Sequence, residues 1–394
     1  METVATLQAS QARVERLLRH TTPAVARVLE RAMAGAELSR EEGLTLATCP
    51  SSDLDALAAV ADHVRREVKG DIVTYVVNRN INFTNVCFVG CAFCSFSTSA
   101  RSANAYALSF EEIARRVVEA WEMGATEVCV QGGLPRDMDP FYYRDILRTI
   151  KSAVPQIHAH AFSPMEISYG TELTGMTVRD YLQMLKDNGL DTLPGTAAEI
   201  LDDDVRHLLS RKKLTVRQWV TVVTTAHRLG IPTTSTMMYG HVETPEHWVN
   251  QLLLLRDIQK ETGGFTEFVP LGFVHYNTTL FQAGLARPGP TEEESLRVHA
   301  LARLMLRGWI DNVQVSWVKL GRQLSQRMLQ AGANDYGGTL IDENISRLAG
   351  ATAGQYMPPE EFRRLIREIG RIPAERTTTY EIRQVFDAVE EAPV

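Results

Sequence analysis

The order of apolar and polar positions divides the chain in two. Over residues 8–66 apolar side chains return at the three-and-four spacing of an amphipathic helix, and Ser39 with Glu42 forms the S-x-x-E pattern that opens one. Residues 1–70 are therefore read as an N-terminal helical segment of two or three helices, packed against one end of the main domain. Beyond it, short apolar runs alternate with capped amphipathic stretches. Residues 72–77, 127–131, 158–162, 192–194, 233–238, 266–270 and 313–317 have the length and composition of strands. Ser109 with Glu112, Thr215 with Gln218, and Thr291 with Glu294 mark helix starts between them, and Thr177 and Thr244 have the same character. Strand then helix, repeated, implies parallel strands joined by right-handed crossovers. The expected fold class is α/β, a complete or near-complete (β/α) TIM-type barrel over residues 71–345, followed by a C-terminal helical extension over residues 346–394. An open doubly wound sheet has the same period and stands as the alternative.

In such a barrel the chemistry gathers where the strands end. A loop rich in cysteine follows an early strand, and Gln131, Gly132 and Gly133 follow the next. Ser163, Pro164, Met165 and Glu166 come after the third, and Pro194, Gly195, Thr196 and Glu199 after the fourth. Tyr239, Gly240, His241 and Glu243 follow the fifth, while His275, Tyr276 and Asn277 lie beyond the sixth. Polar groups at consecutive strand ends line one pocket, and no comparable cluster is evident at the other ends. His158 and His160 alternate with alanine, so both point to one face of their strand, as core groups or as pocket residues.

Composition narrows the class. The 394 residues are 44% hydrophobic and 23% charged, with a formal net charge of -7, which fits an enzyme with a large core and argues against a nucleic-acid partner. No apolar run is long enough to span a membrane, and the first residues lack a secretory core, so a cytoplasmic location is expected.

Three of the five cysteines, Cys87, Cys91 and Cys94, stand as C-x3-C-x2-C in NRNINFTNVCFVGCAFCSFS. Thiolates suit iron–sulfur clusters and zinc, but a closed zinc site needs four protein ligands and this loop supplies three. A 4Fe-4S cluster so held keeps one iron open to a small molecule. The competing readings are three buried thiols, or a zinc site completed by His158 or His160. Gly90 fits a backbone wrapped closely around an inorganic core. Cys49 and Cys129 are read as structural, Cys129 as a small buried side chain in an apolar run.

The spacing, with Phe93 before the last cysteine, resembles the radical S-adenosylmethionine superfamily. The resemblance implies a 4Fe-4S cluster on Cys87, Cys91 and Cys94, with S-adenosyl-L-methionine on the open iron as source of a 5'-deoxyadenosyl radical. Gly132 and Gly133 resemble the superfamily's glycine motif, which binds the methionyl amino group; a plain turn is the other reading. Ser163, Glu166 and Glu199 complete the expected cofactor site. Glu199 is equally readable as a helix-start acid. Further stretches, VQGGL, HAFSPMEI, GLDTLPGTAAEILDDDVR, TTAHRLGIPTTSTMMYGHVET, TEFVPLGFVH, ARPGPT, VQVSWVKLG and GANDYGGTL, are similar to the tyrosine-dependent 4-hydroxyphenyl transferase family of deazaflavin biosynthesis, one half of FO synthase.

That resemblance implies joining L-tyrosine to 5-amino-6-(D-ribitylamino)uracil, with loss of iminoacetate, methionine and 5'-deoxyadenosine. His241 and His275 are then the catalytic candidates, placed to bind a phenol or uracil edge or to exchange a proton. Asn277, Trp317, Asn334 and Asp335, with Lys319 beside the tryptophan, are candidates for substrate binding; core packing is the alternative for Trp317. The implied partners are a one-electron donor, either a reductase or a flavodoxin or ferredoxin, and a sibling radical enzyme, since only one three-cysteine motif occurs. The nearest rivals are the cyclase and the aminofutalosine synthase of the futalosine route to menaquinone. A non-catalytic iron–sulfur carrier or sensor is the rival of another class, although carriers usually ligate all four irons.

Overall fold

The computed structural model describes residues 2–386. Four helices, Glu2–Leu18, Pro23–Met33, Arg40–Ala47 and Leu54–Lys69, precede the first strand. The expected cap is present: the Ser39 side chain accepts from the Glu42 N–H while Glu42 accepts from the Ser39 N–H. Helix Leu54–Lys69 packs on helix Glu292–Leu306, and Arg40–Ala47 on Pro245–Thr262. The N-terminal segment therefore covers the helical flank of the main domain as well as reaching its base.

Nine strands follow: β1 (Ile72–Val76), β2 (Asn78–Ile81), β3 (Glu127–Val130), β4 (His158–Ala161), β5 (Thr233–Tyr239), β6 (Phe265–Gly272), β7 (Asp335–Gly338), β8 (Ile372–Arg376) and β9 (Ile382–Val385). They form three sheets that single parallel bridges join into a ring. β1 runs on into β2 as the first position; β3 and β4 follow by continuous pairing. His160 bridges to Thr192 and Leu193 to Thr233, so residues 192–193 are the fourth position, before β5 and β6. Phe268 bridges to Val313 and Gln314 to Asp335, making 313–314 the seventh. β7 pairs with β1, and Ile341 beyond it bridges to Arg79 in β2, which closes the circuit. The barrel expectation holds, with closure resting on single bridges rather than one unbroken sheet. Of the expected capping pairs, Thr215 with Gln218 and Thr291 with Glu294 close reciprocally and Ser109 accepts from the Glu112 N–H; Ser163 with Glu166 adds a further one.

Two boundaries differ. Residues 313–317 were expected as one strand, but Trp317 opens helix Trp317–Leu329, because its indole turns away to pack on Phe362 and donate to the Gly338 carbonyl. The stretch 346–394 is not helical throughout: helix Pro359–Glu368 leads into β8, which pairs in parallel with β1, and into β9, antiparallel to β8. β9 is exposed at every residue, so it has no apolar alternation by which to be seen in the sequence. Residues 387–394 of that stretch lie outside the described residues. Among the described residues no helix is long and apolar enough to cross a membrane.

Candidate active site

The cysteine loop leaves β2 and is tied down along its length. Cys87 N–H donates to Thr98 O at 3.1 Å, Phe88 N–H to Leu134 O at 3.0 Å and Ala92 N–H to Leu209 O at 2.9 Å. Gly90 takes φ +68° in open space, a left-handed turn that suits glycine. Gly133 brings β3 against this loop: its N–H donates to Thr84 O at 2.7 Å, and a Cβ there would lie 2.1 Å from Val86 O. The three free thiols, all half-buried, line one cavity of about 420 Å³ at the ends of the strands.

Around the thiols the electrostatics are specific. Burial pushes the Cys87 and Cys91 thiols up, while the Lys213 ammonium works against that rise at Cys91. Lys213 also lies 4.8 Å from the Phe93 ring centre and donates to Glu199 Oε1. The other oxygen, Glu199 Oε2, is buried without a hydrogen-bond partner. Glu199 takes φ +42° and Ala197 φ +59°, a strained turn for non-glycine residues. Arg206, buried in helix Asp203–Leu209, holds that turn by donating to the carbonyls of Ala197, Ala198 and Leu214. Ser163 and Glu166 also line the cavity, as a closed cap: Glu166 Oε2 accepts from Ser163 N–H and Oγ at 2.6 Å each, and Oε1 from Gly132 N–H at 3.0 Å. Burial pushes the Glu166 carboxyl up to about 7, against those three donors. With its N–H taken by Glu166, Gly132 has its carbonyl as the group left for a cofactor amine.

These residues fit a three-thiolate cluster with a chelating cofactor: three soft donors line one chamber, and Glu199, whose Oε2 has no hydrogen-bond partner, lines it too. The zinc alternative is not supported. His158 and His160 both bond the Thr192 hydroxyl, at 2.8 and 2.7 Å, and burial lowers His160 to about 4.

The other candidates divide. His241 is fully buried, with Nε2 on Met238 O at 2.9 Å and Nδ1 3.3 Å from Glu243, so it is packed behind the strand end rather than in the cavity. His275 lies against Tyr276 and Phe281 in a neighbouring cavity of about 540 Å³, which shares Phe273 and Lys319 with the site. Asn277 is exposed and its amide donates to Leu348 O. Trp317 is core. Asn334 accepts from Arg303 and from Val313 N–H, and Asp335 is buried against Arg376 at 2.6 and 2.9 Å. None of these four lines the thiol cavity, because Asn334 and Asp335 sit where β7 begins, at the opposite end of the barrel. That end carries its own polar cluster, including Glu127, His160, Glu267 and Arg376 around a lumen cavity of about 150 Å³, contrary to the sequence expectation. Cys129 lines both this lumen and the thiol cavity, whereas Cys49 is structural, its sulfur accepting from Arg297. Lys213, Arg206 and Glu343 were missed; Lys213 sits in an RKK run that reads as an ordinary solvated surface.

A ring of parallel strands carrying three cysteines on the first strand-end loop defines a radical S-adenosylmethionine enzyme, and the sequence profile of the Radical SAM superfamily matches residues 81–255. A second profile, the CofH/MqnC C-terminal region, matches residues 262–389. The 5-amino-6-(D-ribitylamino)uracil–L-tyrosine 4-hydroxyphenyl transferase of Methanocaldococcus jannaschii is 50% identical over 349 residues, 88% of this chain and 97% of that protein. This chain belongs to that transferase family. The FO synthase of Nocardia farcinica is 54% identical over 357 residues, 91% of this chain but 41% of the synthase, so the chain spans about two-fifths of such relatives. Among solved structures, the FeFe-hydrogenase maturase of Carboxydothermus hydrogenoformans shares the fold, with a TM-score of 0.72 at 17% identity over 96% of this chain and 86% of that one.

Proposed function

We propose that the chain joins the 4-hydroxybenzyl group of L-tyrosine to 5-amino-6-(D-ribitylamino)uracil, releasing 2-iminoacetate, methionine and 5'-deoxyadenosine, as a step in deazaflavin coenzyme assembly. The observation that carries this reading is half identity along 97% of a relative named for that reaction, in a chain whose three thiols share one chamber. Cys87, Cys91 and Cys94 would hold a 4Fe-4S cluster, which with S-adenosyl-L-methionine supplies one-electron cleavage of the sulfonium. Glu199 Oε2 offers an acceptor for the hydroxyl or amino groups of that cofactor, and Lys213 holds Glu199 in place. Phe93, Leu134, Met165, Met238 and Phe273 wall the chamber with apolar surface, which keeps water and stray hydrogen donors from a radical. Partners on this reading are a reductase, flavodoxin or ferredoxin as electron donor, and a sibling radical enzyme that closes the deazaflavin ring. The length of the FO synthases beyond the matched part supports the sibling, and we place the reaction in the cytoplasm.

The test is anaerobic reconstitution with iron and sulfide, then incubation with dithionite, S-adenosyl-L-methionine, L-tyrosine and the ribityl diaminouracil. A 4-hydroxybenzyl adduct of the uracil, formed together with 5'-deoxyadenosine, is the expected product by mass spectrometry. Cys91→Ala should lose both the brown cluster absorbance and cofactor cleavage. Formation of 5'-deoxyadenosine with no adduct would overturn the substrate assignment and turn attention to the futalosine compounds.

A further inference from the structure

Halfway round the ring from Glu199, the cavity wall carries a second lysine and glutamate. Lys319 stands in the first turn of helix Trp317–Leu329, beyond the seventh strand position, and Glu343 stands beyond the eighth. Both line the thiol cavity. Ser346 links them: Lys319 Nζ donates to Ser346 Oγ at 2.9 Å, and Glu343 Oε1 accepts from Ser346 N–H at 2.9 Å. Glu343 is only 5% exposed, and its Oε2 is enclosed without a hydrogen-bond partner. An ammonium carries three donors, and Ser346 takes one from Lys319. Burial lowers the Lys319 pKa, with Glu343 opposing the shift. A buried carboxylate oxygen without a donor, next to a half-buried ammonium with donors to spare, is a costly arrangement that a ligand of complementary charge would complete.

We propose that Lys319 and Glu343 hold the carboxylate and the ammonium of the L-tyrosine substrate. The assignment rests on the transferase reading and extends it to particular atoms. A zwitterion with both charges on one carbon needs a cation and an anion side by side, which Ser346 provides by joining the two. The ribityl pyrimidine offers hydroxyls and amides but no such pair of charges. Position along the chain agrees: Glu199 and Lys213 lie within the part matched by the Radical SAM superfamily, whereas Lys319 and Glu343 lie in the C-terminal region matched by the narrower profile. Lys319 thus acts on an amino acid head, not on a flat heterocycle beside Trp317.

The test titrates the reconstituted, S-adenosyl-L-methionine-loaded protein with three ligands: L-tyrosine, tyramine, which lacks the carboxylate, and 3-(4-hydroxyphenyl)propionate, which lacks the amine. Lys319→Met should weaken L-tyrosine about 10- to 100-fold and leave tyramine within about threefold, since one charge-assisted contact is lost. Glu343→Gln should weaken L-tyrosine and tyramine and spare the propionate. Lys319→Gln and Glu343→Ala are second variants, compared by iron content and unfolding midpoint, so that the pattern is read on folded holoprotein. Equal weakening of all three ligands, unchanged L-tyrosine binding, or a loss confined to S-adenosyl-L-methionine or the pyrimidine overturns the assignment. If the wild type forms the uracil adduct while Lys319→Met keeps the preference for tyrosine over tyramine, only this assignment falls. If the wild type neither binds tyrosine nor forms the adduct, the functional reading falls with it.

Discussion

Arg206 shows how a single side chain prepares the site from behind, its guanidinium 3.9 Å from Glu199 Oε2. Its guanidinium donates to the carbonyls of residues 197, 198 and 214, and so fixes a turn in which Ala197 and Glu199 both take left-handed backbone angles. Such angles persist only where the surroundings over-determine them. Replacing Arg206 with Met leaves several buried carbonyls without donors, and the expected loss is about 3 kcal/mol of stability by urea denaturation, with weaker S-adenosyl-L-methionine binding. A Glu199→Gln variant should weaken the cofactor, and the loss of a carboxylate that faces Lys213 and buried Arg206 should lower the urea midpoint as well. The thiols were legible in the sequence because three cysteines in eight residues have few structural explanations. Arg206 was not, because its partners are carbonyl oxygens, which every residue has. His241 misled for a related reason: a strand-end position says which end of the barrel a residue occupies, not whether its ring faces the lumen or the packing behind it.

Among the elements, the helices announced themselves by their caps, and Ser39, Ser109, Thr215 and Thr291 all accept from the predicted N–H groups. The weak strands were the difficulty. β7 reads DYGG, and Gly338 is there because a Cβ would lie 2.2 Å from the Asn78 side chain, a constraint from a residue far away in sequence. How tightly elements are tied can be measured through His227, which joins three of them. Its Nδ1 meets Thr262 Oγ1 at 2.6 Å at the end of helix Pro245–Thr262, and its Nε2 meets Thr233 Oγ1 at 2.9 Å in β5. Burial lowers it from the ordinary 6.5 to about 4. The unfolded chain therefore takes up a proton before the folded one does, so this contribution is present above pH 6.5 and is lost as pH falls towards 4. The loss amounts to as much as about 3 kcal/mol. His227→Gln should flatten the fall of the urea midpoint between pH 6.5 and 4 relative to the wild type, and an unchanged slope would count against the buried neutral ring.

At the scale of the whole molecule, the C-terminal hairpin is part of the barrel rather than an appendage. Arg376 enters the base of the lumen, pairs with buried Asp335, and stacks over Tyr380 with 3.9 Å from guanidinium carbon to ring centre. Tyr380 in turn donates to Glu267. Arg376→Met would strand the Asp335 charge and should lower stability by about 3–5 kcal/mol, measured by denaturant; adding Asp335→Leu should recover part of that loss. The position of β8 has a further consequence, for a chain still being made. Ile72 of β1 pairs with Ile372 of β8, a residue synthesised 300 positions later. At about 5–20 residues per second, a ribosome needs roughly 15–60 s to supply that partner. The three cysteines emerge near the start of this interval, and the strand that completes the base of the barrel only at its end. On the proposed function, each new molecule presents its three thiols before the barrel can close, and the yield of active enzyme should fall when translation proceeds in less reducing surroundings.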